Sequence, residues 1–157
     1  MGTVTGLLID GIGPARALAD AGSPLSLGSD SNAVIDLFEE ARGVELDERL
    51  ATERRGHWSA AALLRAATEA GAGSLGWPET GRLAVGALAD LVTVGLSSVR
   101  LAGTRPPTLL ESVVFAAGAP DVREVVVGGR RMVTDGRHTA VDDVPAALDS
   151  AVAAVLP

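Results

Sequence analysis

The chain has 157 residues, 47% of them hydrophobic and only 3% aromatic, with no cysteine and a formal net charge of −7. That length suffices for one core, built here from Ala, Val and Leu, and a mean hydropathy of +0.30 excludes a disordered chain. The acidity excludes a basic footprint for nucleic acid, the lack of cysteine excludes disulfides and thiolate metal sites, and no apolar run reaches the ~18 residues of a membrane span. The opening residues carry no basic segment of a secretory leader, so a cytoplasmic protein is expected.

Residues 3–9 alternate loosely and read as a short strand. Asp10-Gly11-Ile12-Gly13-Pro14 is a turn, with Pro14 placed for the first turn of a short helix over 15–21 that Gly22 stops. A second strand over 25–27 runs into Gly28-Ser29-Asp30. Ser31 or Asn32 is positioned to cap a helix bearing Val34, Ile35, Phe38 and Ala41 at close to 3.6-residue spacing, which Gly43 interrupts. Leu46 and Leu50 resume the stripe among Glu45, Asp47, Glu48, Arg49, Glu53, Arg54 and Arg55. That charge run is expected to be a solvated helix face. Ser59 caps a helix over 60–70, with Leu63, Leu64 and Ala67 on one side and Gly71 past its end.

After Gly76-Trp77-Pro78 the texture changes. Short β-branched runs over 83–85, 91–94 and 125–127 are bounded by glycine. Gly128-Gly129 and Asp135-Gly136 are two-residue hairpin turns into strands over 130–133 and 137–141. Thr108-Leu109-Leu110-Glu111 has the form of a capping box, and Gly118 ends its helix. A last helix over 144–156 is expected to pack Ala147, Leu148, Ala151 and Val155. The chain thus divides near residue 80, into an α/β part over 1–80 and a mainly β part with a terminal helix over 81–157.

Two short motifs bear on chemistry. Gly11-x-Gly13 between a strand and a helix, with Asp30 about twenty residues on, has the outline of a dinucleotide-binding turn. Arg16 occupies the position that needs Gly or Ala for close packing, and Pro14 removes an N–H donor near the helix start. No second βαβ unit follows. A plain glycine turn is the stronger reading, with an NAD(P)-binding oxidoreductase module as the alternative. Gly28-Ser29-Asp30-Ser31-Asn32 fails as a calcium loop, because Val34 and Ile35 stand where an acid and a glycine are required. It is either a helix cap with a turn, or a strand tip presenting the Asp30 carboxylate as a metal ligand and proton acceptor. His57 beside Ser59 and His138 on a hairpin strand are expected to be structural or exposed, and Arg54-Arg55 solvated.

Several segments, in order, resemble the C-terminal third of the amidohydrolase superfamily, and most nearly its formimidoylglutamate deiminase branch. They are Asp10-Gly11-Ile12-Gly13-Pro14-Ala15, Leu27-Gly28-Ser29-Asp30-Ser31, Leu63-Leu64-Arg65-Ala66-Ala67-Thr68 with Ala70-Gly71-Ala72, Gly81-x-Leu83-x-Val85-Gly86-x-x-Ala89-Asp90-Leu91-Val92, and Val122-x-x-Val125-x-Val127-x-Gly129-x-x-Val133-x-x-Gly136-Arg137-His138. The last two, paired at this distance, are specific to the superfamily. The resemblance implies an α/β fold: the C-terminal elements of a (β/α)₈ barrel followed by part of a small β-sandwich. A complete barrel needs about 250 residues. It also implies zinc, with Asp30 as metal ligand and catalytic carboxylate, and hydrolysis of a C–N bond in a small molecule such as N-formimino-L-glutamate. The His-x-His pair that the resemblance implies is missing, so the chain alone is expected to be inactive, with a non-catalytic stand-alone domain as a further alternative. Barrel faces without their cover predict self-association.

Overall fold

A computed structural model describes residues 2–3, 11–30 and 33–156. The strand expected over 3–9 and the proposed caps Ser31 and Asn32 fall largely or wholly outside those residues. Strand β1 (Gly2–Thr3) pairs in parallel with β2 (Leu25–Ser26), and helix α1 (Ala15–Asp20) lies between them in sequence. Pro14, expected in the first turn, stands just before α1 (φ −80°) and makes no capping hydrogen bond, and Gly22 follows the end of the helix at φ 91°.

Helix α2 (Leu37–Thr52) begins later than the apolar spacing predicts. Its cap is Asp36, whose Oδ1 accepts the Phe38 N–H at 2.8 Å, so Val34 and Ile35 precede the helix and are exposed. Gly43 does not break α2. A glycine inside a helix costs about 1 kcal/mol, and the buried neighbours Ala41 and Val44 outweigh that. Ser59 caps α3 (Ala60–Ala67) by accepting the Ala62 N–H at 3.2 Å. The helix expected to reach residue 70 stops at Thr68 (φ −123°, ψ −95°), and α4 (Glu69–Ser74) restarts with Gly71 inside it.

No strand forms over 83–85. This segment turns between Gly81 (φ 80°) and Gly86 (φ 87°), with Leu83 and Val85 exposed. Strands β3 (Leu91–Val94), β4 (Val122–Val127), β5 (Arg130–Thr134) and β6 (Arg137–His138) form one antiparallel sheet in the order β3-β4-β5-β6. Both expected hairpin turns are present, with positive φ at Gly128 (54°), Gly129 (78°), Asp135 (51°) and Gly136 (74°), the pattern of type I′ turns. This is a single layer; among the described residues no second sheet covers it.

Helix α5 (Leu109–Ala116) is preceded by a 3₁₀ turn, and the capping box does not form. Thr108 Oγ1 donates instead to the Arg105 carbonyl, because Pro106 and Pro107 hold the preceding turn in 3₁₀ form. Although α5 sits among the strands in sequence, Val114 joins the core made by Ala15, Ala41, Val44, Trp58, Ala60 and Leu63. Five of those seven side chains are Ala or Val, small enough to bring helices close, and Leu63 and Trp58 are the two large ones. Two polar contacts fix the same junction: Arg42 Nη1 donates to the Ala117 carbonyl at 2.8 Å, and Asp36 Oδ2 accepts the Ala119 N–H at 3.0 Å.

Helix α6 (Val144–Val155) forms where expected but does not pack; every residue in it is exposed. The total accessible surface is 10474 Å². A compact 15.8 kDa monomer exposes about 7,300 Å², so this chain shows about 3,000 Å² more than its mass calls for. Among the described residues no helix is long and apolar enough to cross a membrane.

Candidate metal centre

The parallel pairing of β1 and β2 sets the direction in which Asp30 is delivered. The chain leaves Ser26, passes Leu27, Gly28 and Ser29, and reaches Asp30 just past the carboxyl end of the strand. Asp30 takes a left-handed conformation (φ 48°), which Asp tolerates better than most residues, and its side chain is exposed. The two histidines are engaged elsewhere. His57 Nε2 lies 2.7 Å from Thr52 Oγ1, and His138 Nδ1 accepts the Ala140 N–H at 3.1 Å. Arg54 and Arg55 are exposed, as expected. Among the described residues no three His, Cys, Asp or Glu side chains come together in a group that could hold a metal ion.

Helices α1 and α2 and the segment joining α2 to α3 share a polar knot that the charge pattern concealed. Glu45 and Glu48, expected on a solvated face, are buried. Glu45 Oε1 accepts from Arg49 Nε at 2.7 Å and from the Gly56 N–H at 2.8 Å, and its Oε2 accepts the Trp58 N–H at 2.7 Å. Burial pushes the Glu45 carboxyl upward, but Arg49 and the two backbone N–H groups outweigh it, holding the group below the ordinary carboxylate range. Glu48 Oε1 accepts the Arg16 N–H at 2.7 Å. The Arg16 guanidinium in turn donates to the His57 carbonyl at 3.0 Å, pairs with Asp20, and lies 5.1 Å from the centre of the Trp58 ring. Ala41, Val44, Glu45 and Glu48 follow the i, i+3, i+4, i+7 spacing of one helix face. That spacing was the available sign that the two glutamates share the core stripe.

The same knot bears on the Gly11-x-Gly13 turn. A dinucleotide site would place a pyrophosphate on the N–H groups at the start of the following helix. Here the Glu48 carboxylate already occupies the start of α1, and a second anion there would be repelled.

The amidohydrolase family profile matches residues 6–132. The chain belongs to the amidohydrolase family. Over 151 residues it is 37% identical to the formimidoylglutamate deiminase of Pseudomonas aeruginosa, covering 87% of this chain and 33% of that protein. It is 34% identical over 138 residues to a 5-methylthioadenosine/S-adenosylhomocysteine deaminase of Natronomonas pharaonis, covering 86% of this chain and 31% of the relative. Among solved structures, an adenosine deaminase from Xanthomonas campestris with bound zinc superposes with a TM-score of 0.82 at 31% identity, over 91% of this chain and 33% of that one. The atrazine chlorohydrolase of Arthrobacter aurescens complexed with zinc gives a TM-score of 0.74 at 30% identity, over 91% and 32%. This amidohydrolase chain therefore has a mixed α/β fold and spans about a third of the length of the relatives it matches. Those relatives are deaminases and hydrolases.

Zinc sits in the two solved relatives, and catalytic zinc keeps three protein ligands. The described residues of this chain bring one carboxylate of a suitable kind, Asp30, and do not by themselves make a zinc site.

Proposed function

We propose that this chain is the Asp30-bearing C-terminal third of a zinc-dependent amidohydrolase of the formimidoylglutamate deiminase type. In this reading β1, α1 and β2 belong to the closing strands and helix of a (β/α)₈ barrel, and the four-stranded sheet to a small β-sandwich. Asp30, at the carboxyl end of a parallel strand, stands where catalytic groups of such barrels gather. It is the metal ligand this chain contributes, and its carboxylate takes up a proton from the attacking water. Further ligands come from outside the described residues. The substrate is a small molecule with an amidine-type C–N bond, N-formimino-L-glutamate: water adds at the formimino carbon and the nitrogen leaves as ammonia. The compartment is the cytoplasm.

The observation that carries this reading is the placement of Asp30 just past β2, within a stretch matched to the Pseudomonas aeruginosa deiminase at 37% identity. The test is a chimera in which this chain replaces the matching third of that enzyme. Ammonia release from N-formimino-L-glutamate is the expected result. A folded, zinc-loaded chimera that deaminates 5-methylthioadenosine instead would overturn the substrate and keep the class.

A further inference from the structure

Asp36 and Arg42, at the start of helix α2, both reach out of the helix to one short segment, residues 117–119. Asp36 Oδ1 accepts the Phe38 N–H at 2.8 Å and starts the helix, while its Oδ2 accepts the Ala119 N–H at 3.0 Å. Arg42 Nη1 donates to the Ala117 carbonyl at 2.8 Å. A helix cap needs one acceptor, and Ser supplies it about as well as Asp. The second oxygen of Asp36 therefore does nothing for α2 that the first does not already do.

The gripped segment is itself fixed to the sheet. The buried Asp121 carboxylate accepts the Gly118 N–H and Arg100 Nη2, each at 3.0 Å. Its carbonyl accepts the Gly95 N–H at 2.8 Å, just past the end of β3, and β4 begins at the next residue, Val122.

At its other end the clamp meets the loop that carries Asp30. Residues 27–35 join β2 to α2, with the pairing to β1 fixing one end and Asp36 fixing the other. Between these two points Asp30 holds φ 48°. A residue other than glycine keeps a left-handed conformation where its surroundings impose it.

We propose that Asp36 and Arg42 are positioning residues for the reaction: by fastening the Asp30 loop to the sheet, they set where the Asp30 carboxylate lies. This role depends on the catalytic reading of Asp30. A metal ligand acts only when its own support is fixed, and loss of such support typically costs about 10–100-fold in metal affinity or activity.

NMR relaxation of backbone amides in the full chain, with kinetics of the chimera with the Pseudomonas aeruginosa deiminase, tests it. Asp36→Ser keeps the cap of α2 and loses the tie to Ala119. Order at residues 28–30 is expected to fall with circular dichroism unchanged, and kcat of the chimera to fall about tenfold at constant KM. Arg42→Met has the same effect, and Arg42→Lys, which keeps a donor for the Ala117 carbonyl, restores both order and kcat. Gly86→Ala, which strains the turn over 81–86, changes neither. Unchanged order at 28–30 in either Asp36→Ser or Arg42→Met overturns the proposal, as does an unchanged kcat beside lost order, or an equal fall in Gly86→Ala. Near-normal turnover after Asp30→Asn overturns the catalytic reading instead, and the order at 28–30 reports on the clamp without it.

Discussion

Glu48, three-quarters of the way along α2, accepts the Arg16 backbone N–H at 2.7 Å and so caps α1 from a different helix. The first turn of α1 holds no acidic residue, and Pro14 makes no side-chain cap. A six-residue helix has no stability of its own, and this one carries the connection between β1 and β2.

Replacing Glu48 by Ala removes the acceptor and leaves a donor of α1 unpaired. The expected loss is about 1–2 kcal/mol, the range for deleting a helix cap, read from urea unfolding. Glu48→Gln keeps an oxygen in place and loses less. Equal losses for the two variants would assign the effect to charge instead of to the hydrogen bond.

Acid destabilises the knot through Glu45. Its folded-state carboxyl titrates below the ordinary range, so its contribution is fully present above about pH 4.3, the unfolded value, and is lost as pH falls through the depressed folded value. The melting temperature is therefore expected to hold from neutral pH down to the ordinary carboxylate range and to drop beneath it. In Glu45→Gln the drop is shallower, from a lower starting point. Melting curves across that acid window for both proteins check this.

Gly81 cannot carry a side chain. A Cβ there would lie 2.7 Å from the Glu69 Cα and 2.8 Å from the Glu69 N, both backbone atoms, in a conformation with φ at 80°. Gly81→Ala is expected to cost about 2–4 kcal/mol from the clash and the left-handed strain together. Gly86→Ala, at φ 87° with open space around it, costs only the strain, about 1–2 kcal/mol. Denaturation midpoints of the two variants should rank in that order.

Asp30 decides the catalytic reading. The chain alone, supplied with zinc, is expected to release no ammonia from N-formimino-L-glutamate, because one carboxylate falls short of the three ligands a catalytic zinc keeps. In the active chimera, Asp30→Asn keeps shape and removes charge. Turnover should fall by about 10²–10⁴-fold, the usual loss when a general base is removed. Near-normal turnover would make Asp30 a turn residue only.

Features decided within a few residues were legible in the sequence. Ser59 and its donor Ala62 are three positions apart, and the Gly128-Gly129 and Asp135-Gly136 turns are dipeptides whose backbone preference names the turn. Asp30 at a strand end was legible in the same way. Features that depend on distant partners were not. The burial of Glu48 requires Arg16, 32 residues away, and that of Glu45 requires Trp58, 13 residues on. Read locally, both are charges among charges. Thr108 had the right spacing for a cap, but the two prolines before the helix drew its hydroxyl back to Arg105. The terminal helix shows the converse: its period was plain, and nothing local indicated that its apolar side faces solvent.

Asp36 uses one carboxylate oxygen to begin α2 and the other to hold Ala119, 83 residues further on, while Arg42 grips Ala117 and Val114 enters the helical core. A single cut by a protease in the exposed stretch around Leu83 and Val85 would break the chain without separating its two pieces. They would co-migrate until denaturant was added, and the segment that carries Asp30 would keep its downstream anchor. The same stretch is where a sequence inserted for labelling or tethering should be tolerated, since what joins the two parts is the contact at residues 36–42 and 114–119 and not the covalent connection.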